Sequence, residues 1–249
     1  MAPHAAVLTD YDGTLAPIVA DPDRAVPHPK VPALLAGLVT RYARVGVVSG
    51  RPVSFLRRHL PVEGVVLVGQ YGLERWDGHE VVTDPAVGPF RAAVAAVVAE
   101  AATDLGPRGI RVECKGDLAV ALHWREHREA GALVRAWAGE AARRHGLALV
   151  PGRLVAELRP PVPVGKGTVV TELCTGCRAA LFCGDDVGDL DAFDALRRLA
   201  ARGELTVAVR VGVRSEEMPA GLGERTDLVV DGPEGVVALL ADLVGRATG

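Results

Sequence analysis

Lysine is scarce in this 249-residue chain: of 28 basic residues only Lys30, Lys115 and Lys166 are lysine, and the other 25 are arginine. In so arginine-rich a chain, each lysine asks for a reason. No excess of positive charge exists either. With 31 acidic residues the formal charge is −3, which argues against holding nucleic acid or an anionic membrane by bulk electrostatics. No window approaches the roughly 18 uncharged apolar residues of a membrane-spanning helix; even the stretch from Phe90 to Leu105 contains Arg91, Glu100 and Asp104. The N-terminus lacks a basic region ahead of its apolar residues and meets Asp10 at once, unlike a signal peptide. The expectation is a soluble cytoplasmic protein. Cysteine is also sparse. Cys174 and Cys177 have the spacing of a metal or redox pair, but no second pair or nearby histidine completes a zinc site. Cys183, within the apolar run Ala179–Cys183, reads as a packed thiol.

What is present is an alternation. There is no fixed-period repeat, low-complexity tract or long linker. Strands are expected at Ala5–Thr9, Val45–Ser49 and Val65–Gly69, with helices at Val31–Tyr42 and Pro52–His59 between them. The rhythm returns late, with a helix at Lys166–Leu173 and a strand at Ala179–Cys183. A helix at Asp189–Ala201, strands at Leu205–Val211 and Leu228–Val230, and a helix at Pro233–Val244 complete it. Near-continuous apolar strands alternating with helices indicate a Rossmann-like parallel sheet covered on both faces. Between the halves the pattern changes to helix, strand pair, helix, strand pair: Gly88–Thr103, Ile110–Cys114 with Leu118–Trp124, Glu129–His145, Leu147–Val150 with Leu154–Leu158. This predicts an α/β core from residues 1–75 and 162–249, and an α+β cap domain inserted at 76–161.

The ends of the core strands carry the chemistry, as ligands of open α/β sheets lie beyond the carboxyl ends of strands. Asp10-Tyr11-Asp12-Gly13-Thr14-Leu15 follows the first strand. Alone it reads equally as an Asx-rich turn or as paired carboxylates beside a glycine that admits close backbone approach. Ser49-Gly50-Arg51 opens a helix, where backbone amides favour a phosphate oxygen. Gly184-Asp185-Asp186-Val187-Gly188-Asp189 is an acidic cluster, and Lys166 stands at a helix start, where a cation opposes the helix dipole. Together these supply a carboxylate nucleophile, phosphate-oxygen donors, a lysine and an oxygen pocket for a hard cation such as Mg²⁺.

In this order and with this insertion the chain resembles the haloacid dehalogenase superfamily of phosphohydrolases, and within it the trehalose-6-phosphate phosphatases. The narrower resemblance rests on Asp10 to Ile18 followed by Asp21-Pro22, on Gly69-Gln70-Tyr71-Gly72-Leu73-Glu74, on Val112 to Arg125 and on Gly152 to Pro160. It implies a Mg²⁺-dependent phosphatase releasing trehalose from trehalose 6-phosphate, with Asp10 as nucleophile and Asp12 as general acid and base. Thr14, Ser49 and Gly50 would hold phosphoryl oxygens, aided by Lys166. Asp10, the Asp12 backbone carbonyl and Asp185 would coordinate the metal, with Asp186 and Asp189 ordering its water shell. Glu113, Lys115, Arg125, Arg153 and Glu157 would grip the sugar from the cap; Glu113 and Lys115, two apart on a strand, share a face, as do Arg153 and Glu157 in an extended stretch. Substrate would lie between core and cap.

The pattern also departs from the family. Gly188-Asp189-Leu190 stands where Thr-Asp-Glu is usual, and Tyr71 where His or Asn is usual. The same chemistry on sucrose phosphate or a glycosyl-phosphoglycerate, or a catalytically weak phosphosugar-binding protein, therefore stay open, as does a functional link to a trehalose-phosphate synthase. His123 reads as packing or hydrogen-bonding in a strand rather than as a catalyst, and Trp76, Trp124 and Trp137 as core.

Overall fold

Every residue of Ala5–Thr9 (β1) is buried, the condition of a strand at the centre of a covered parallel sheet. The computed structural model, which describes residues 2–19, 21–76, 78–152, 154–215, 219 and 221–246, places it there. After β1 come α1 (Val31–Val39), β2 (Arg44–Val48), α2 (Val53–His59), β3 (Val65–Gly69) and two short strands, β4 (Glu74–Trp76) and β5 (Val81–Thr83). Next come α3 (Arg91–Asp104), β6 (Arg111–Lys115), β7 (Ala119–His123), α4 (Gly131–His145), β8 (Ala148–Gly152) and β9 (Val155–Arg159). The chain ends with α5 (Lys166–Leu173), β10 (Ala179–Gly184), α6 (Leu190–Ala201), β11 (Val207–Arg214), β12 (Leu228–Asp231) and α7 (Gly232–Arg246).

The larger of two compact units holds residues up to Val82 and from Val164 onward. Its sheet has the order β12-β11-β10-β1-β2-β3-β4-β5, parallel from β12 through β3 and antiparallel from β3 to β4. Alternate residues of β1 feed two cores. Val7 packs with Leu35, Leu38, Leu56 and Leu240 under α1, α2 and α7, whereas Ala6 and Leu8 pack with Val170, Leu173, Phe193 and Leu196 under α5 and α6. Each of these buried valine, leucine and phenylalanine side chains contributes about 1.5–3 kcal/mol. Thr9 lies opposite Cys183 on one side and Val47 on the other. That register releases Asp10, Asp185 and Ser49 from the same end of the sheet.

The second unit spans Thr83–Pro163. Its antiparallel sheet, β6-β7-β9-β8, packs against Val94, Val97 and Ala101 of α3 and Val134, Ala138 and Ala141 of α4. By length and composition Pro85–Asp104 is apolar enough to cross a membrane, which a count of charges does not anticipate. Yet Val94, Val97 and Ala101 are buried on the sheet, and Arg91 and Glu100 pair with Asp117 and with Arg144 and His145. This packing is that of a helix covering a sheet face.

Several elements differ from expectation. β4 and β5 are too short for a period-two pattern to reveal. The helix expected from Gly88 begins at Arg91, because Pro85–Phe90, with Pro89 inside, winds as tight 3-10 turns. The expected helix to Tyr42 ends at Val39. β11 starts at Val207 and continues to Arg214, since Arg214 pairs with Asp231 at the end of β12. The extended stretch expected to align Arg153 with Glu157 is interrupted at Leu154, with φ 60°; Arg153 itself lies outside the described residues.

Candidate active site

Asp10 leaves β1 with its backbone N–H on the Cys183 carbonyl at 2.9 Å. Asp10 is 4% exposed, and its carboxylate accepts a hydrogen bond from Lys166 Nζ, 2.7 Å from Oδ1. The same ammonium donates to Asp189 Oδ1 at 2.6 Å. Lys166 is carried there by the first turn of α5, and Asp189 Oδ2 accepts the backbone N–H groups of Asp185 and Asp186 at 2.9 and 3.1 Å. Asp186 returns the favour by capping the Asp189 N–H. Asp189 thus shapes the acidic loop and anchors the lysine.

Asp10, Asp185 and Asp189 bring carboxylate oxygens within 4.8 Å of one another. Among the described residues that cluster does not include Asp186, whose side chain is 47% exposed, or the Asp12 side chain. Gly13 makes the crowding possible: its φ is +74°, and a Cβ there would lie 2.1 Å from Asp185 Oδ2. Thr14 is fully buried, with Oγ1 3.4 Å from Asp185 Oδ1. Ser215, just past β11, donates to Asp185 Oδ2 at 2.7 Å. Sequence reading missed Ser215, although it too follows a core strand.

The phosphate-loop candidates stand alongside. Ser49 is buried and its Oγ accepts the Arg51 N–H at 3.1 Å. Gly50 lies beneath the Tyr71 ring, where a Cβ would meet the ring at 2.6 Å. Gln70 and Tyr71 both hold left-handed backbone, with φ 52° and 58°. Their N–H groups bind the carbonyls of Arg51 and Ser49 at 3.0 and 2.9 Å, so strain is maintained by bonds to this loop. Glu74 on β4 accepts the Val53 N–H at the start of α2, 2.7 Å away. Asp12 faces Arg51, which donates through Nε and Nη2 to its two oxygens at 2.8 and 2.7 Å.

Burial raises the proton affinity of Asp10 well above the ordinary aspartate range, opposed by Lys166 and reinforced by the other carboxylates. Burial and Asp189 push Asp185 up to about 8, and burial, against Lys166, brings Asp189 to about 7. For Lys166 burial acts downward, but Asp10, Asp189 and Asp186 lift it well above the ordinary lysine value. One buried ammonium among three buried carboxylates leaves excess negative charge. A hard divalent cation suits these oxygen donors.

A pH dependence follows. Folded Asp185 and Asp189 hold protons that an unfolded chain, with aspartates near 3.8, releases. Folding is therefore favoured less as pH rises through that interval. Chelator-treated protein is expected to lose several degrees of Tm between about pH 5 and pH 8, with Asp185→Asn flattening the slope and added divalent cation restoring Tm at the upper end. A Tm that rises across this window in the chelated protein, with Asp185→Asn making no difference, would contradict the charge balance.

In the smaller unit Lys115 Nζ and Glu157 Oε2 pair at 2.5 Å across β6, β7 and β9, with both side chains nearly buried. Glu157 Oε1 is buried with no hydrogen-bond partner among the described residues. Glu113 pairs with His123 Nε2 at 2.7 Å, so of packing and hydrogen bonding the strand histidine shows the second. Arg125 lies half-buried just beyond β7. Cys174 and Cys177 are buried free thiols, and burial pushes Cys174 up to about 12, as packed rather than reactive cysteines require.

Residues 8–220 match the family model described as trehalose-phosphatase. The trehalose-phosphate phosphatase of Mycobacterium avium is 37% identical over 213 residues, 78% of this chain and 52% of that protein. The chain thus spans about half the length of the curated relatives it matches. Among solved structures, a trehalose-6-phosphate phosphatase related protein superposes with TM-score 0.82 at 22% identity, covering 98% of both chains. The C-terminal domain of Candida albicans trehalose-6-phosphate phosphatase gives 0.82 at 22% identity, over 98% of this chain and 94% of that one. These two likenesses bear on the fold.

Proposed function

Because the chain belongs to the trehalose-phosphatase family, we propose that it is a Mg²⁺-dependent phosphatase that hydrolyses trehalose 6-phosphate. The observation that carries this reading is Lys166, an ammonium buried at the sheet's carboxyl end and shared by Asp10 and Asp189. A carboxylate attacking a phosphate ester meets like charge, a repulsion that grows as water is excluded. Lys166 offsets it on the nucleophile and the phosphoryl group alike.

In the first step an Asp10 oxygen bonds to phosphorus while the bond from phosphorus to the sugar oxygen breaks, and the sugar oxygen takes a proton from Asp12. In the second, water bonds to phosphorus and yields a proton to Asp12, and the phosphorus–Asp10 bond opens to regenerate the carboxylate. Ser49, Thr14 and the Gly50 amide would hold the phosphoryl oxygens. Asp10, the Asp12 carbonyl and Asp185 would hold Mg²⁺, with Asp186 and Asp189 ordering its surroundings; when bound, the metal would neutralise charge on phosphate and nucleophile. The chain's own contribution is chiefly position and fixed charge.

The unit Thr83–Pro163 is proposed as the cap that selects the sugar. Supporting this is Glu157 Oε1 beside Lys115, without a hydrogen-bond partner among the described residues: a buried carboxylate oxygen favours a hydroxyl donor, and charged partners discriminate among polyols where an apolar wall does not. Arg125, Arg153 and Glu113 would extend that grip. The substrate must come from a synthase that makes the phosphorylated disaccharide, in the same compartment, here proposed as the cytoplasm. The test is phosphate release from a panel of phosphosugars with Mg²⁺ and with chelator. Trehalose 6-phosphate is expected to show the highest kcat/KM, and chelator to abolish turnover. Preference for sucrose phosphate or a glycosyl-phosphoglycerate would overturn the substrate, and metal-independent turnover the mechanism.

A further inference from the structure

Arg51 is the one charged residue of the phosphate loop to which the reaction as written gives no task. It is 8% exposed. Its guanidinium lies 4.6 Å above the Phe55 ring, and Phe55 in turn meets the buried Tyr11 ring edge-on at 5.6 Å. Arg51, in the loop just before α2, and Phe55, in its first turn, therefore hold the side chains of consecutive residues: Phe55 seats Tyr11 and Arg51 clamps Asp12. The clamp is two-pronged, 2.7 and 2.8 Å to the two oxygens, which fixes the carboxylate plane as well as its place. Asp12 is otherwise poorly enclosed, with its side chain 36% exposed. A proton donor is useful only within hydrogen-bond reach of the departing oxygen, and a short exposed side chain has no such constraint of its own.

Resting on the phosphatase reading above, we propose that Arg51 is the positioning residue for proton transfer: it sets the orientation of the Asp12 carboxylate and does not serve chiefly to bind phosphate. The two roles predict different kinetics. A phosphate anchor serves every ester alike. A residue that aims the proton donor matters most where the leaving oxygen needs a proton, as a sugar alkoxide does, and least for a nitrophenolate, which leaves without one. Hydrolysis of the aspartyl-phosphate needs Asp12 again as base, whichever ester supplied it.

For Arg51→Ala, kcat/KM for the phosphosugar preferred by the parent is expected to fall about 10²–10³-fold, the lower part of the range typical of general acid catalysis. For p-nitrophenyl phosphate it is expected to fall less than about tenfold. With the latter ester the slow step becomes loss of the phosphoryl group, so nitrophenolate should appear in a burst stoichiometric with enzyme. Added guanidinium ion should restore phosphosugar turnover, and Asp12→Asn in the Arg51→Ala background should cost little more. Arg51→Lys, which retains charge without the fork, should show the same split and covers the case in which the alanine variant does not fold. Equal losses in kcat/KM for both esters, or no loss, would overturn the proposal while leaving the phosphatase reading intact. Turnover of neither ester by the parent would overturn both.

Discussion

Asp10→Asn is expected to abolish phosphate release, with kcat lowered by at least about 10⁴-fold, in a protein that folds as well as its parent. The amide keeps the shape of the side chain and an oxygen for Lys166, but it removes the proposed nucleophile. Stability should not suffer, because burial and three neighbouring carboxylates disfavour charge at Asp10. Replacing it by a neutral group relieves that crowding, and Lys166 retains Asp189 as partner. The expected Tm in chelator at about pH 8 equals or exceeds that of the parent, the usual trade between stability and a charged active site. Steady-state phosphate release and thermal unfolding read the two halves separately. Residual turnover near the parent's would remove Asp10 from the role of nucleophile, and a large fall in Tm would show that its charge supports the fold.

The opposite balance is expected of Lys166→Met. Methionine fills the space of the stem but leaves Asp10, Asp185 and Asp189, with oxygens inside 4.8 Å, without their buried cation. Breaking a buried ion pair by removing one partner costs about 3–5 kcal/mol, and here one ammonium serves two carboxylates. Urea unfolding should show a loss of that order, smaller in acid, where the carboxylates take up protons. Divalent cation should restore stability in part but not turnover, given the role proposed for Lys166 at the phosphoryl group. Lys166→Arg should not rescue activity: a planar guanidinium does not fit a slot that leaves the Lys166 side chain 3% exposed. A Lys166→Met protein as stable as its parent at pH 8 would show that the carboxylates are neutral in the folded chain.

The core strands were legible because buried parallel strands are written as unbroken apolar runs, and five of the six expected ones lie within two residues of their place. β4 and β5 were not, since three residues carry no period and Glu74, Arg75 and Trp76 are chosen for contacts: Glu74 for the α2 amide, Arg75 for Glu172, Trp76 for stacking under Arg57. The convergence of Asp10, Lys166, Asp185 and Asp189 followed from reading strand ends, whose positions the sheet order determines. Individual partnerships did not. Nothing local says that Arg51 will clamp Asp12, 39 residues away, or that Asp189 will spend both oxygens on Lys166 and the backbone of its own loop. Those choices depend on register, and register is a property of the assembled sheet. The lysine count points the same way: Lys166 and Lys115 both sit in ion pairs that are buried or nearly so, whereas Lys30 is exposed ahead of α1.

The position of β1 in the middle of the sheet has a consequence during synthesis. One edge of Ala5–Thr9 pairs with β2, made soon afterwards, but the other waits for β10, which begins 170 residues later. At roughly 5–20 residues per second the ribosome needs roughly 10–35 s to deliver it. For that interval the nascent chain presents an open edge and an uncovered apolar face, the conditions under which strands of neighbouring chains join. The order of the sheet thus makes the emerging β1–β3 segment a natural client for whatever shields hydrophobic chains at the tunnel exit, and the cluster of Asp10, Lys166, Asp185 and Asp189 can close only once β10 is in place.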